Sequence, residues 1–250
     1  MEISAVNALT TQVLWAGFIL SVIFGAILQR SHFCTMGAVS DIVTMGDWTR
    51  MRMWGMAVGV AMIGFAVLVF NGQIDPGKTI YASNRLIWLS ALAGGAMFGF
   101  GMVLASGCGS KTLVRVGGGS LKSVVVFVVL GIAAFATLKG ITAVARVATV
   151  DRVAMDFTTQ AALPNWLAGA VGLSPATAGL VLALLIGLGL LWWALSGSGF
   201  VGFNNLLGGL GTGAVITALW WVSGHLATWL SIPRRCRRPF WRPTPGGPKR

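Results

Sequence analysis

Two cysteines, Cys34 and Cys108, occupy short polar interruptions of a chain that is otherwise strongly apolar. Cys34 follows Arg30-Ser31-His32-Phe33, and Cys108 lies between two glycines. A neutral thiol is a weak hydrogen-bond donor and a polarizable contact for another soft atom. A thiol placed where a membrane segment is interrupted can line a path, so the two cysteines predict a route through the bilayer. The alternative is that both cysteines are simply small apolar residues of a helix bundle.

Backbone and basic groups near the two cysteines are also candidates for binding an anion. Gly107 and Gly109 leave the N–H groups around the second cysteine uncovered, and the start of a helix directs partial positive charge at anions. Arg30 borders the first cysteine, and Lys111 and Arg115 border the second. For each basic residue the alternative explanation is topology, because Lys and Arg concentrate in cytoplasmic loops.

Asn204 and Asn205 are candidates of a different kind. They lie in the stretch 157–233, which contains no Asp, Glu, Lys or Arg. Buried amides need hydrogen-bond partners, so these two side chains either bridge helices or contact an anion. The two histidines, His32 and His225, are too few and too far apart for a metal site of familiar spacing, and no cofactor is predicted.

The elements that position these residues are predicted to be membrane helices. Charged residues make up 10% of the chain and apolar residues 56%, too few charges to cover a surface in water. Gly55-x-x-x-Gly59 and Gly95-x-x-x-Gly99 are patterns typical of close packing between such helices. Six charge-poor runs reach the length of about 20 residues that a bilayer requires. The predicted spans are 12–28, 54–71, 86–105, 122–139, 177–195 and 206–230.

Two shorter apolar pieces, 33–46 and 160–173, are too short to cross a bilayer comfortably, so we predict re-entrant or interfacial helices there. Irregular backbone at membrane depth is tolerated where protein or a water-filled cavity covers it. The piece 33–46 begins beside Cys34, which predicts a half-helix with a thiol at its start.

The end of the chain differs from the rest in composition. Seven of the 18 basic residues lie after Pro233, so the net charge falls from +12 for the whole chain to +5 for residues 1–233. We therefore divide the chain into a transmembrane domain at 1–232 and a basic, disordered tail at 233–250. The charge without the tail is ordinary for a membrane protein, so nucleic acid is not a predicted partner.

Three groups of residues resemble the YeeE/YedE family of bacterial inner-membrane proteins. They are Arg30-x-x-Phe33-Cys34, then Gly99-Phe100-Gly101-Met102-Val103-Leu104-Ala105-Ser106-Gly107-Cys108-Gly109, and Asn204-Asn205 with the glycines, tryptophans and histidine that follow. The resemblance covers about residues 1–230. It implies an all-α, polytopic transmembrane helix bundle with short re-entrant helices and two pseudo-symmetric halves.

The resemblance also implies a function, the uptake of thiosulfate or a related small sulfur anion past cysteines at mid-membrane constrictions. Cys34 and Cys108 match two of the family's cysteines. The family's later Gly-Cys motif has no match, because Cys236 is flanked by arginines, and this predicts an incomplete second half. The predicted partners are this sulfur anion, membrane lipid and, as an open question, a soluble cytoplasmic sulfur-carrier protein, and the location is the bacterial inner membrane.

Two other functions remain open. One is a sulfurtransferase-like membrane protein that carries a cysteine persulfide, and the other is a non-conducting remnant whose end is truncated or frame-shifted. No base adjoins Cys108 in the sequence, so we favour a transporter over an enzyme. The sequence has no G-x-x-x-x-G-K-[S/T] motif, so ATP hydrolysis by this chain is not a predicted driving force.

Overall fold

The computed structural model describes residues 3–75, 85–156, 172, 174–197 and 199–226. These residues form an all-α transmembrane helix bundle, which confirms the predicted fold class. The predicted piece 160–173, apart from residue 172, and the basic tail at 233–250 lie outside the described residues. The α-helices are α1 (Ile3–Ser31), α2 (Thr35–Met45), α3 (Thr49–Phe70), α4 (Trp88–Leu104), α5 (Gly109–Gly117), α6 (Leu121–Lys139), α7 (Ile141–Ala148), α8 (Pro175–Leu195), α9 (Phe203–Leu206) and α10 (Thr212–Trp221).

All six predicted spans correspond to helices that are long and apolar enough to cross a membrane. Two of these apolar stretches continue beyond the long helix into a short one, from α1 into α2 and from α4 into α5. The ranges are Thr10–Met45, Thr49–Phe70, Trp88–Gly117, Leu121–Lys139, Pro175–Leu195 and Phe203–Gly224. The apolar runs therefore predicted the number and the order of the spans in the described part of the chain.

The two short helices α2 and α5 position the cysteines. The predicted half-helix at 33–46 is present as α2, with Cys34 as its N-cap residue. Helix α5 was not predicted, and it begins directly after Cys108, which is its N-cap residue. It was missed because it carries Lys111 and Arg115 and has glycine at both ends, so that it does not form an apolar run.

Helix α3 packs closely against α8 and forms the centre of the described bundle. A Cβ atom added to Gly59 would lie 2.9 Å from the carbonyl oxygen of Gly187 on α8, and one added to Gly55 would lie 2.9 Å from the ring of Trp193. Gly55 and Gly59 thus pack against α8, as predicted for this glycine pair. Among the residues that the structure describes, nothing lies within 4 Å of a Cβ added to Gly95 or Gly99.

The helix that follows residue 202 is interrupted by two π-helical segments, Leu207–Gly211 between α9 and α10 and Val222–Leu226 after α10. Gly208 lies against Ser31 and Met53, and Gly209 lies against Met56. The wider π-helical turn thus places a face without side chains against α1 and α3. This contact joins the end of α1, and hence the first cysteine turn, to the core of the bundle.

Helices α4 to α7 form a second group beside the one built from α1, α2, α3, α8, α9 and α10. Within the second group α6 packs against α5 and α7. A two-residue antiparallel bridge pairs Arg85 with Asp156 and Leu86 with Met155. The largest contact between the two groups of described residues joins α1 and α5, which are the helices next to the cysteine turns. We call this contact the α1–α5 seam.

Candidate functional site

The two cysteine turns have the same local structure. Each long helix ends, a non-glycine residue adopts a positive φ angle, and the cysteine two positions later is extended and caps a short helix. The positive angles are 51° at His32 and 55° at Ser106. A left-handed backbone conformation costs roughly 1 kcal/mol or more for such residues, so both turns are held in place by their surroundings.

The turns bring the two thiols into contact. The Sγ atoms of Cys34 and Cys108 are 3.5 Å apart, and both are free thiols. Both residues are buried, with exposed fractions of 4% and 5%. The sequence therefore identified two residues, 74 positions apart, that meet in the fold.

Polar groups of the short helices surround the sulfur atoms. The N–H of Gly37 in the first turn of α2 donates to the Sγ of Cys34 at 3.4 Å. The hydroxyl of Ser110 in the first turn of α5 lies 3.1 Å from the Sγ of Cys108. The amino-terminal ends of both short helices thus point at the thiol pair, where their partial positive charge favours an anion.

A cavity of about 260 Å³ reaches the thiol pair through Cys34. Its wall contains three basic side chains, those of Arg50, Lys111 and Arg115, together with His32. Leu28, Phe33 and Val114 are apolar residues of the same wall, so the cavity combines apolar and basic side chains. The lining residues are Leu28, Gln29, His32, Phe33, Cys34, Arg50, Lys111, Val114 and Arg115.

Arg50 is a residue of this cavity that sequence reasoning missed as a site residue. It lies in the first turn of α3 and pairs with Asp41 of α2, with 3.3 Å between the guanidinium nitrogen and the carboxylate oxygen. A Cβ added to Gly37 would lie 2.7 Å from the same nitrogen, so the glycine makes room for the guanidinium. No local pattern marks Arg50, because its place depends on how α3 folds back onto α2.

Arg115 ties the second cysteine turn to α5. Its guanidinium donates to the carbonyl oxygen of Ser106 at 3.2 Å. The carbonyl belongs to a residue with positive φ, so this hydrogen bond supports the strained turn while the side chain also lines the cavity.

The predicted glycines flank the second thiol as expected from their positions. Gly107 is buried, and a Cβ added to it would lie 3.3 Å from the side chain of Lys111. Gly109 is the first residue of α5, and nothing among the described residues lies within 4 Å of a Cβ added to it. Substitution of Gly107 would therefore press on a cationic side chain of the cavity.

Among the described contacts, none joins the other predicted site residues to the thiols. Arg30 is exposed and lies over the ring of Phe203, 5.9 Å from its centroid, and it is not part of the described cavity wall. Asn204 is exposed, and Asn205 donates to the carbonyl oxygen of Phe200 at 3.0 Å. Cys236 and the side chain of His225 lie outside the described residues.

The family model described as sulphur transport matches residues 30–233. The chain belongs to the sulphur transport family. This match confirms the resemblance to the YeeE/YedE proteins and includes both cysteine turns and the whole cavity except Leu28 and Gln29. Membership together with the six apolar helices makes the chain a multi-pass membrane protein, consistent with the bacterial inner membrane.

Two curated relatives of this chain are named thiosulfate transporter TsuA. The protein from Spirochaeta thermophila is 31% identical over 129 residues, which are 51% of this chain and 37% of the relative. The protein from Escherichia coli K12 is 31% identical over 108 residues, which are 43% of this chain and 29% of the relative. The matched part of the chain thus spans about a third of the length of these relatives.

Proposed function

We propose that this chain forms part or all of a path for thiosulfate or a related small sulfur anion across the membrane. The observation that carries the proposal is the contact between the Cys34 and Cys108 thiols beside a cavity that is lined by three basic side chains. The names of the curated relatives, both thiosulfate transporters, support the same substrate class.

The arrangement suits the two chemical ends of thiosulfate. The anion carries two negative charges on hard oxygens and a soft terminal sulfur, and it loses water when it enters a low-dielectric path. Lys111, Arg115 and Arg50 offset the charge at the cavity, and the short-helix N–H groups add partial positive charge. In their protonated state the thiols supply weak, polarizable contacts, which allow a solute to leave as readily as it enters.

The thiol pair is closed to a solute in the described state. Two sulfur atoms 3.5 Å apart are in contact, so nothing of the size of thiosulfate fits between them. On a path that runs between the two sulfur atoms, passage requires Cys34 and Cys108 to separate, and we infer that movement at the α1–α5 seam opens the pair.

Uptake of radiolabelled thiosulfate by lipid vesicles that contain the purified chain tests the proposal. We expect an initial rate above that of protein-free vesicles, reduced by excess unlabelled thiosulfate more than by excess sulfate, which has no terminal sulfur. Uptake at the rate of protein-free vesicles would contradict transport by this chain and favour the non-conducting alternative.

The persulfide alternative is favoured by one observation, the adjacency of two thiols that could share a transferred sulfur atom. Mass spectrometry of the purified chain after exposure to thiosulfate distinguishes the two functions. A sulfur adduct on Cys34 or Cys108 would support the sulfurtransferase, whereas unmodified thiols in a chain that takes up thiosulfate would support the path.

A soluble cytoplasmic sulfur-carrier protein remains a proposed partner, together with the sulfur anion and membrane lipid. The proposal follows from the chemistry of the cargo, since a reactive sulfur anion that enters the cytoplasm needs an acceptor. Copurification of a sulfur-carrier protein with the detergent-solubilised chain, in the presence and absence of thiosulfate, is the direct measurement.

A further inference from the structure

The thiol pair has a property that anion binding does not require. The two Sγ atoms need to approach by only about 1.5 Å to reach the length of a disulfide bond, close to 2.05 Å. Each cysteine is an N-cap residue in a turn rather than an interior residue of a helix, so a shift of this size does not break a helix.

A small oxidant has a route to the pair. Cys34 is 4% exposed, yet it forms part of the wall of the 260 Å³ cavity, which also contains the polar side chains of Gln29 and His32. Hydrogen peroxide is a small polar molecule of the kind that such a cavity admits. Cys108 contacts Cys34 and also the Ser110 hydroxyl, so the second thiol is in place to react with the first.

We propose that Cys34 and Cys108 form an oxidation site, in which a hydroperoxide converts the two thiols to a reversible disulfide. The disulfide joins the first cysteine turn to the second across the α1–α5 seam. It closes the path, because a covalent bond prevents the separation that passage of an anion requires. The closure of the path rests on the proposed function, whereas formation of the disulfide does not.

The chemistry balances with the peroxide as the oxidant. The thiol of one cysteine gives up its proton, and the resulting thiolate attacks an oxygen of hydrogen peroxide. The O–O bond breaks, a sulfenic acid forms, and the departing hydroxide takes up the released proton and leaves as water. The other thiol attacks the sulfenic sulfur, the S–S bond forms, and a second water carries away the oxygen and the remaining proton. A dithiol reductant reverses the reaction by thiol–disulfide exchange.

Peptide mapping of the purified full chain tests the oxidation site without a transport assay. The Cys236→Ser variant removes the third cysteine and keeps the pair. After treatment with hydrogen peroxide in the absence of thiosulfate, we expect one cross-linked species that contains Cys34 and Cys108 and disappears on reduction. The variants Cys34→Ser and Cys108→Ser should not yield it.

Either of two results would overturn the assignment. One is oxidation of Cys34 and Cys108 in the Cys236→Ser variant to separate sulfinic or sulfonic acids without a cross-link. The other is a wild-type chain in which the main disulfide contains Cys236. Both results are read from a chain that keeps Cys34 and Cys108, so they do not depend on the folding of the Cys34→Ser and Cys108→Ser variants.

A flux measurement tests the closure. Vesicles with the Cys236→Ser chain are oxidised, freed of peroxide by gel filtration, and then given radiolabelled thiosulfate. We expect uptake to fall to the rate of protein-free vesicles and to recover after reduction, whereas a mapped disulfide with unchanged uptake would overturn the closure. Absence of uptake before oxidation would contradict the proposed function and the closure that rests on it, while the mapping decides the disulfide.

Discussion

At the scale of single residues, the charge of the cavity depends on Arg50 as much as on the basic residues of α5. Asp41 forms an ion pair with one guanidinium nitrogen of Arg50, and the arginine side chain has further N–H groups for an anion. Arg50 is 35% exposed at its side chain and Asp41 is 12% exposed, so the carboxylate is the more enclosed partner. We interpret Asp41 as the residue that positions Arg50 at the cavity.

Replacement of Arg50 by Gln should weaken uptake of thiosulfate by raising its apparent KM. A partly exposed charge contributes up to about 1 kcal/mol, which corresponds to about a fivefold change. Arg30→Gln provides the comparison, because the sequence nominated Arg30 whereas the structure places it outside the described cavity wall. Kinetics of uptake by vesicles would measure both variants, and a larger effect at Arg30 than at Arg50 would contradict the assignment of the cavity.

Replacement of Gly37 by Ala should disturb the same cation without removing its charge. The new methyl group would lie 2.7 Å from the Arg50 guanidinium and must displace it, so we expect KM to rise in the direction of the Arg50→Gln change. Gly25→Ala is a matched control on α1, since nothing among the described residues lies within 4 Å of its Cβ position. Equal uptake kinetics for Gly37→Ala and wild type would show that the position of Arg50 is unimportant.

At the scale of helices, the close approach of α3 and α8 is the packing contact on which the described bundle depends. Gly59 faces the Gly187 backbone, and a reciprocal Cβ on Gly187 would lie 2.6 Å from the side chain of Ile63. Close approach of this kind lets membrane helices associate through van der Waals contact, since lipid provides no hydrophobic driving force between them.

Gly59→Ala should lower the thermal stability of the chain in detergent. The added methyl group meets a backbone carbonyl at 2.9 Å that cannot rotate away, and overpacking of this kind costs about 1–3 kcal/mol. Gly99→Ala on α4 is the control, because its Cβ position is open in the described part of the chain. Tryptophan fluorescence during heating would give both midpoints, and equal midpoints for the two variants would contradict the packing account.

Some of the helices and site residues could be predicted from the sequence, and others could not. Apolar runs predicted all six spans and α2, because a helix that is buried in lipid needs apolar residues along its whole length. Helix α5 was missed because a short amphipathic helix at a membrane break has no such composition. The cysteines were predicted from glycines and a family resemblance, whereas Arg50 was not, since its position depends on contacts between distant elements.

At the scale of the whole molecule, the two groups of helices meet at the α1–α5 seam, and the thiol pair lies across it. Such a seam allows one group to move against the other while each keeps its own packing. The large glycine-lined contacts are inside the first group, between α3 and α8 and between α3 and α10. We therefore place the opening movement at the cysteine turns rather than in the core.

The most direct test of this account is the initial rate of radiolabelled thiosulfate uptake by vesicles that contain Cys34→Ala, Cys108→Ala or, as a matched control, Cys236→Ala. We expect the first two substitutions to reduce the rate severely, because each removes a thiol that contacts the soft sulfur in the proposed path, while the third retains uptake. Undiminished uptake by both Cys34→Ala and Cys108→Ala would remove the thiols from the path and contradict the account.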